Sequence, residues 1–286
     1  MQEVAIVTDS TADLPPALAQ EMGITIVPLK VIFGREVYRD GVDLDRTTFY
    51  QRLHAGEVAT TSQPSPGEFE AAYRHLLTRA KSIVSIHISR RLSGTVNAAE
   101  TARSLFPEAD ITVVDSRLVA GALGLVVRTA ARAAQEGKPP AEVLSLIDQL
   151  ITAIKVYFSI ESLEYLRRGG RIGGAQALLG TILKINPILT LADGIIQPFE
   201  KVRGQKAALR RLAEIATAAA GNQPLFCQVL TSDNQETAAA LASLLSGLPP
   251  GSTVETAAIG TVVAAHTGPG VYGIVFCPQR ALESVP

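Results

Sequence analysis

Three short runs of this sequence place hydroxyls, an imidazole and glycines where they could hold an anion. The first is Ala59-Thr60-Thr61-Ser62-Gln63-Pro64-Ser65-Pro66-Gly67-Glu68-Phe69, consecutive hydroxyls ahead of a rigid Pro-rich turn that opens a helix. Ser65 stands at the capping-box spacing from Glu68, so helix capping accounts for Ser65. It gives no reason for Thr60 and Thr61. The second is Ile83-Val84-Ser85-Ile86-His87-Ile88-Ser89-Arg90-Arg91-Leu92-Ser93-Gly94-Thr95, an apolar strand leading through a loop to a helix that starts near Ser93. Free N–H groups at a helix start suit an anion, and a glycine lets a ligand approach the backbone. A serine cap alone explains Ser93 but leaves Gly94 and Thr95 without a purpose. The third is Ala265-His266-Thr267-Gly268-Pro269-Gly270, an imidazole beside a rigid turn that could donate a hydrogen bond to a carboxylate. An isolated histidine is more often a satisfied structural residue, and His54, His75 and His87 have no comparable surroundings.

Other chemistries are disfavoured by the same sequence. Gly268-Pro269-Gly270-Val271-Tyr272-Gly273 spells GxGxxG, but a dinucleotide fingerprint must follow a strand and open a helix. Here a strand is expected to follow it, and the proline removes a backbone donor. No GxxxxGK[ST] occurs, so a phosphate-cradling nucleotide loop is not expected. Cys227 and Cys277 stand far apart with no CxxC and no nearby histidine, which argues against zinc and leaves a single disulfide open. Lys and Arg number 26 against 27 Asp and Glu, so the electrostatic footprint of a nucleic-acid binder is missing. Aromatic residues make up 5% with no Trp, too few for base-stacking platforms.

These residues need a frame to bring them together. The chain has 286 residues, 47% of them hydrophobic, enough for two domains that fold without disulfides or a structural metal. Val4–Thr8, Ile83–Ile88 and Ile111–Val114 read as strands. Helical patterns intervene at Arg46–His54 and Gly67–Ala80, and follow near Ser93, at Arg117–Gln135 and at Pro140–Ile154. Strands alternating with helices imply a parallel sheet covered on both faces. Beyond Lys155 the pattern changes, with Ile188–Leu191 and Ile195–Phe199 flanking the hairpin signal Asp193-Gly194. The expected architecture is therefore α/β in two domains: an N-terminal parallel-sheet α/β/α domain over 1–155 and a C-terminal α+β domain with a mixed sheet over 156–286. Segment 60–67 is placed to reach across the boundary. The longest apolar run, Leu118–Val127, is too short for a membrane span, and Asp9 interrupts any leader-like start. A soluble, cytoplasmic protein is expected.

In chain order, Thr8-Asp9-Ser10, Thr60-Thr61-Ser62-Gln63-Pro64, Leu92-Ser93-Gly94-Thr95, Glu161-Ser162-Leu163-Glu164-Tyr165-Leu166-Arg167-Arg168-Gly169-Gly170-Arg171-Ile172 and His266-Thr267-Gly268-Pro269-Gly270 resemble the DegV family, a likeness running from Val4 to Cys277. Members are bacterial fatty-acid-binding proteins, and some present the bound fatty acid to a separate kinase that makes an acyl phosphate for phospholipid synthesis. The resemblance implies one long-chain fatty acid held between the domains, no cofactor, and a fatty acid kinase as partner. By matching motif positions, Thr61, Ser93 and His266 would contact the carboxylate, with the Gly94 and Thr95 amides nearby. Arg171 and Arg203 match positions near the entrance that could meet the kinase or its phosphate. A carboxylate only accepts hydrogen bonds, so hydroxyls, amides and an imidazole can satisfy it without a buried lysine. Val96 stands where the family commonly has an aromatic residue, which puts the preferred chain in doubt.

Two rival readings use the same residues. Ser93 as nucleophile with His266 as base, oriented by Asp9 or Asp115, would make a lipid-ester hydrolase, although the GxSxG elbow is missing. A lipid-sensing regulatory protein would need the same pocket as a carrier.

Overall fold

The computed structural model describes residues 2–179 and 185–282, with Ile185 described by its backbone alone; positions 180–184 and 283–286, part of the expected second domain, lie outside them. The first half runs β1 (Gln2–Asp9), α1 (Pro16–Glu21), β2 (Thr25–Val27), β3 (Lys30–Phe33), β4 (Glu36–Arg39), α2 (Arg46–His54), β5 (Ala59–Ser62), α3 (Pro66–Leu76), β6 (Ala80–His87), α4 (Thr95–Arg103), β7 (Asp110–Asp115), α5 (Gly121–Gln135) and α6 (Pro140–Ala153). The second continues with β8 (Lys155–Ser159), α7 (Glu164–Arg168), β9 (Ile185–Ala192), β10 (Ile195–Arg203), α8 (Gln205–Ala220), β11 (Leu225–Thr231), α9 (Gln235–Leu244), β12 (Thr253–Ala258), α10 (Thr261–Thr267) and β13 (Tyr272–Pro278).

Apolar residues on both faces of β1 and β6 dictate a doubly covered sheet, and the structure has one. Its strands run parallel in the order β2-β1-β6-β7. Alternate residues divide between the faces. Ala5, Val7 and Ile83 pack under α3 and α4 with Phe69, Tyr73 and Ala99. Val4, Ile6, Val84 and Ile86 turn the other way, toward α5 and α6. The chain winds outward in opposite directions from β1 and β6, so the crevice beyond their carboxyl ends is where open α/β sheets take ligands.

The second sheet is mixed, in the order β10-β9-β8-β13-β11-β12, with only the β11–β12 pair parallel. Its inner face, with Phe226, Leu230 and Val275, joins the same apolar cluster as α5 and α6. Its outer face is covered by α8 and α9 through Leu212, Ala216 and Leu241. The layers therefore read helix, sheet, helix, sheet, helix. Helix α5 is buried on nearly all sides because both sheets press on it. At Gly121 a Cβ would come within 2.0 Å of the Gln228 side-chain oxygen, so only glycine lets the helix approach β11 this closely.

Several local expectations hold in detail. Ser65 caps α3 in a complete capping box with Glu68, and Asp193-Gly194 turns the β9–β10 hairpin with positive φ at both positions. Gly268 and Gly270 lead into β13 instead of opening a helix, so the GxGxxG spelling is a turn. Helix α4 begins at Thr95 and its N-cap is Gly94, so Ser93 lies just ahead of the cap. The disulfide left open by the sequence does not form. Cys227 is opposite Phe276, and Cys277 opposite Phe226, which puts the two thiols on opposite faces of the sheet. Burial pushes both up to about 12. A third, antiparallel sheet, β4-β3-β5, was not anticipated. It turns Thr60 and Thr61 from a loop into a strand, with Thr61 opposite Val31.

Candidate functional site

A cavity with about 980 Å³ of unfilled space, its mouth included, opens where the three sheets meet. Its walls are aliphatic and aromatic, including Leu29, Ile88, Val119, Phe158, Ile196 and Val262, drawn from both halves of the chain. The polar exceptions are few and include Thr61, Gln63, Ser93, Arg171, His266 and Thr267. Thr61, Ser93 and His266 thus line one space, although Thr61 and His266 stand 205 positions apart.

Each of these groups is held by its element. Strand β5 aims Thr61 across to α10, where Thr61 Oγ1 lies 2.7 Å from His266 Nε2. Burial, and then the nearby Arg171 guanidinium, push the imidazole down to about 4, so it is neutral near pH 7. His266 Nδ1 is sealed without a partner. A buried N–H without an acceptor costs more than a bare lone pair, so the ring proton belongs on Nε2, donating to Thr61. Thr61 then keeps its own proton to donate into the cavity. The seat of the ring is Gly169, where a Cβ would lie 2.2 Å from Nδ1.

Beside this pair, Ser93 Oγ lies 2.9 Å from Thr95 Oγ1 at the start of α4. Gly94 caps the helix with no side-chain bond. Among the described residues the N–H groups of Gly94, Thr95 and Val96 find no protein acceptor, and a helix start offers such donors to an anion. Gln63 lines the cavity and presses its amide against Gly94, 2.9 Å from where a Cβ would stand. The local signal for it was its place directly after Thr-Thr-Ser.

The two arginines separate. Arg171 was expected at the entrance. It turns inward, donating from Nε to Leu92 O at 3.0 Å and from Nη1 to Gly169 O at 2.6 Å. It therefore fastens the loop carrying Ser93 to the loop that seats His266. Arg203 ends β10, is exposed, and does not line the cavity. A second, more polar cleft of about 580 Å³, mouth included, abuts the first and shares Thr61, Arg171 and His266 with it; Tyr165 and Arg168 form its outer wall.

His87, without a notable context in its own stretch of chain, has a structural role. Tyr73 Oη donates to Ser85 Oγ at 2.9 Å, Ser85 Oγ meets His87 Nε2 at 2.7 Å, and His87 Nδ1 meets Asp9 Oδ2 at 3.0 Å. All four are 0% exposed. This serine–histidine–aspartate chain is a tie between β1 and β6, closed to any substrate. Asp9 also accepts from the backbone N–H of Ile88, a wall residue of the cavity. The hydrolase arrangement of Ser93, His266 and an acid does not assemble among the described residues. Ser93 meets Thr95, Asp9 is held by His87, and Asp115 bonds to Arg90.

Comparison with known proteins bears on the same chain. The family model described as an uncharacterised protein, DegV family, matches residues 3–279. The chain belongs to the DegV family. It is 34% identical to Protein DegV of Bacillus subtilis over 277 residues, 96% of this chain and 99% of that one. It is 40% identical to a DegV domain-containing protein of Streptomyces coelicolor over 276 residues, 96% and 98% of the two chains. Among solved structures, a DegV family protein from Thermus thermophilus, described by its fatty acid binding, superposes with a TM-score of 0.91 at 39% identity, covering 98% of this chain and 100% of that one. The Bacillus subtilis DegV structure, described as a fatty acid binding protein, gives 0.89 at 33% identity, with the same coverage. The two-domain α/β fold of this DegV chain is thus that of its relatives. Among its described residues no helix is long and apolar enough to cross a membrane.

Proposed function

We propose that this protein binds one long-chain fatty acid and presents its carboxylate to a separate, ATP-using fatty acid kinase. The observation that carries the reading is the joining of an apolar cavity to a polar end furnished by Thr61, Ser93, His266 and the unpaired amides at Gly94 and Thr95. The relatives described as fatty acid binding support it. The tail supplies most of the affinity. At about 0.8 kcal/mol per buried methylene, a 16-carbon chain contributes on the order of 12 kcal/mol before ordering costs. The hydroxyls, amides and imidazole supply orientation.

The second cleft supports the presenting role. It reaches Thr61 and His266 from outside, and Arg168 and Arg171 offer positive charge to an incoming phosphoryl group. Arg203 would serve the partner's surface and not the lipid. The protein itself contributes binding and no turnover, needs no cofactor, and works in the cytoplasm. Native mass spectrometry of gently purified protein tests the lipid: a bound species of fatty-acid mass is expected. If extraction releases none and neither palmitate nor oleate binds, the reading fails. Acyl phosphate formation from the loaded protein, ATP and a fatty acid kinase tests the second step.

A further inference from the structure

Helix α10 carries His266 in its last turn, and its first turn is held by groups that the lipid site does not use. Thr261, its first residue, donates from Oγ1 to Asp40 Oδ1, a carboxylate only 6% exposed. Gly260, just ahead, packs on Asp13 so tightly that a Cβ would lie 2.3 Å from Asp13 Oδ1. Both Asp13 oxygens are sealed from solvent, the Gly260 backbone N–H being the donor that bears on them, and Asp13 itself is held at a positive φ of 53°. Asp13 and Asp40 come from the N-terminal half, and Gly260 and Thr261 from the C-terminal half. Both acids line a broad groove at this seam.

We propose that Asp13 and Asp40 form a proton-dependent clamp on the start of α10, and that the state of the clamp sets how firmly His266, and through it Thr61, holds the fatty acid's carboxylate. The inference rests on the head-group reading above. Asp40's charge adds to the burial that disfavours an ionised Asp13, so the two carboxylates cannot both ionise at low cost. Burial raises Asp13 well above the usual carboxylate range, and burial also raises Asp40. The charged groups that bear on the pair are Asp9, which raises both, and Arg46, which lowers Asp13. Asp9 is held by His87, and Arg46 also donates to Ser232 O. From the opposite side of the groove, β12 and α10 present Thr256, Ala257, Ala258, Gly260 and Thr261, and no charge.

The sign follows from linkage. An acid whose folded pKa is raised stabilises the closed arrangement fully below its unfolded value, and that stability is lost as pH rises through the folded value. The seam is therefore tightest when the pair holds its protons, and it loosens as they leave. Because α10 is a single short rod, slack at Thr261 is delivered to His266 at its other end.

The experiment is the dissociation rate of palmitate from the full-length protein, chased with excess oleate, between pH 5 and 9. Wild type is expected to release palmitate faster as pH rises, by about tenfold for each pKa unit separating the closed from the open seam. Asp13→Asn and Asp40→Asn mimic the protonated acids and are expected to release slowly across the range, with a flattened profile. Hydrogen exchange of the α10 amides, expected to quicken with pH in wild type, gives a second reading should either variant fold poorly. A wild-type rate that is flat with pH overturns the clamp, as does a pH rise that survives in both variants. Ser93→Ala separates the two ideas: if it holds palmitate as wild type does, the head-group reading has failed, and if it loses palmitate at every pH, that reading stands whatever the clamp does.

Discussion

Replacing Gly169 by alanine tests the head-group geometry without touching a polar group. Gly169 has ordinary helical angles, φ −74° and ψ −10°, so alanine adds no backbone strain. Such a change commonly stabilises a chain by about 0.4–1 kcal/mol through the unfolded state. The new Cβ, however, would stand 2.2 Å from His266 Nδ1 and 3.0 Å from its Cε1. Restoring ordinary contact requires the buried ring to move by about 1 Å, and a 2.7 Å bond to Thr61 stretched that far is no longer a hydrogen bond. Losing it leaves Thr61 without its orienting donor, at a cost of about 1–2 kcal/mol in lipid binding, or roughly 5- to 30-fold in Kd. Calorimetric or displacement titration with palmitate measures the change, and thermal melting checks that the fold is intact. In a His266→Ala background the same substitution should cost nothing further, because the clash has been removed. An unchanged affinity in Gly169→Ala, or an equal loss in both backgrounds, would refute the argument that His266 acts by orienting Thr61.

Four further outcomes are expected. Ser93→Ala should weaken palmitate binding by about 1–3 kcal/mol, read by the same titration, because it removes a hydroxyl from the polar end of the cavity. Arg171→Ala frees two backbone carbonyls and should weaken lipid binding by about 1–3 kcal/mol as well as slow phosphorylation, whereas exposed Arg203→Ala should leave lipid affinity unchanged and slow only the kinase reaction. Burial lowers His266 to about 4, so its contribution to the lipid-free fold is complete above about pH 6.5 and is lost as pH falls toward 4. Thermal melts of wild type and His266→Gln should therefore converge as the solution is acidified through that window. Heating should produce one transition and not two, because one apolar cluster underlies both sheets.

The sequence displayed most clearly what is decided locally. Ser65 and Glu68 announce their cap because both partners sit within one turn, and Asp193-Gly194 announces a hairpin because the turn itself demands positive φ. The apolar run of β6 is legible for the same reason. Strand β4 was not, since Glu36-Val37-Tyr38-Arg39 is largely exposed and takes its order from pairing with β3. The three polar runs could be picked out, because a cap does not account for two threonines or for a Gly-Thr pair. Their meeting could not be read from spacing, and it was the family resemblance that placed Thr61, Ser93 and His266 on one ligand. The inward turn of Arg171 was hidden because its acceptor Leu92 O lies 79 positions away. His87 was overlooked for the same cause: Asp9, which holds it, is on another strand.

The continuous apolar cluster under both sheets has a consequence for how the molecule comes apart. Val4 and Ile86 from one sheet and Leu230 and Val275 from the other belong to a single body of packed side chains, with α5 in its midst. Neither half can be melted, cut free or synthesised alone without wetting that shared surface. Fragments separated near residue 155 should clump or stay unfolded when made singly, and regain solubility only when made together. Any opening of the cavity must therefore be a small yielding at the rim, because a wide parting of the two sheets would dismantle the interior on which both depend.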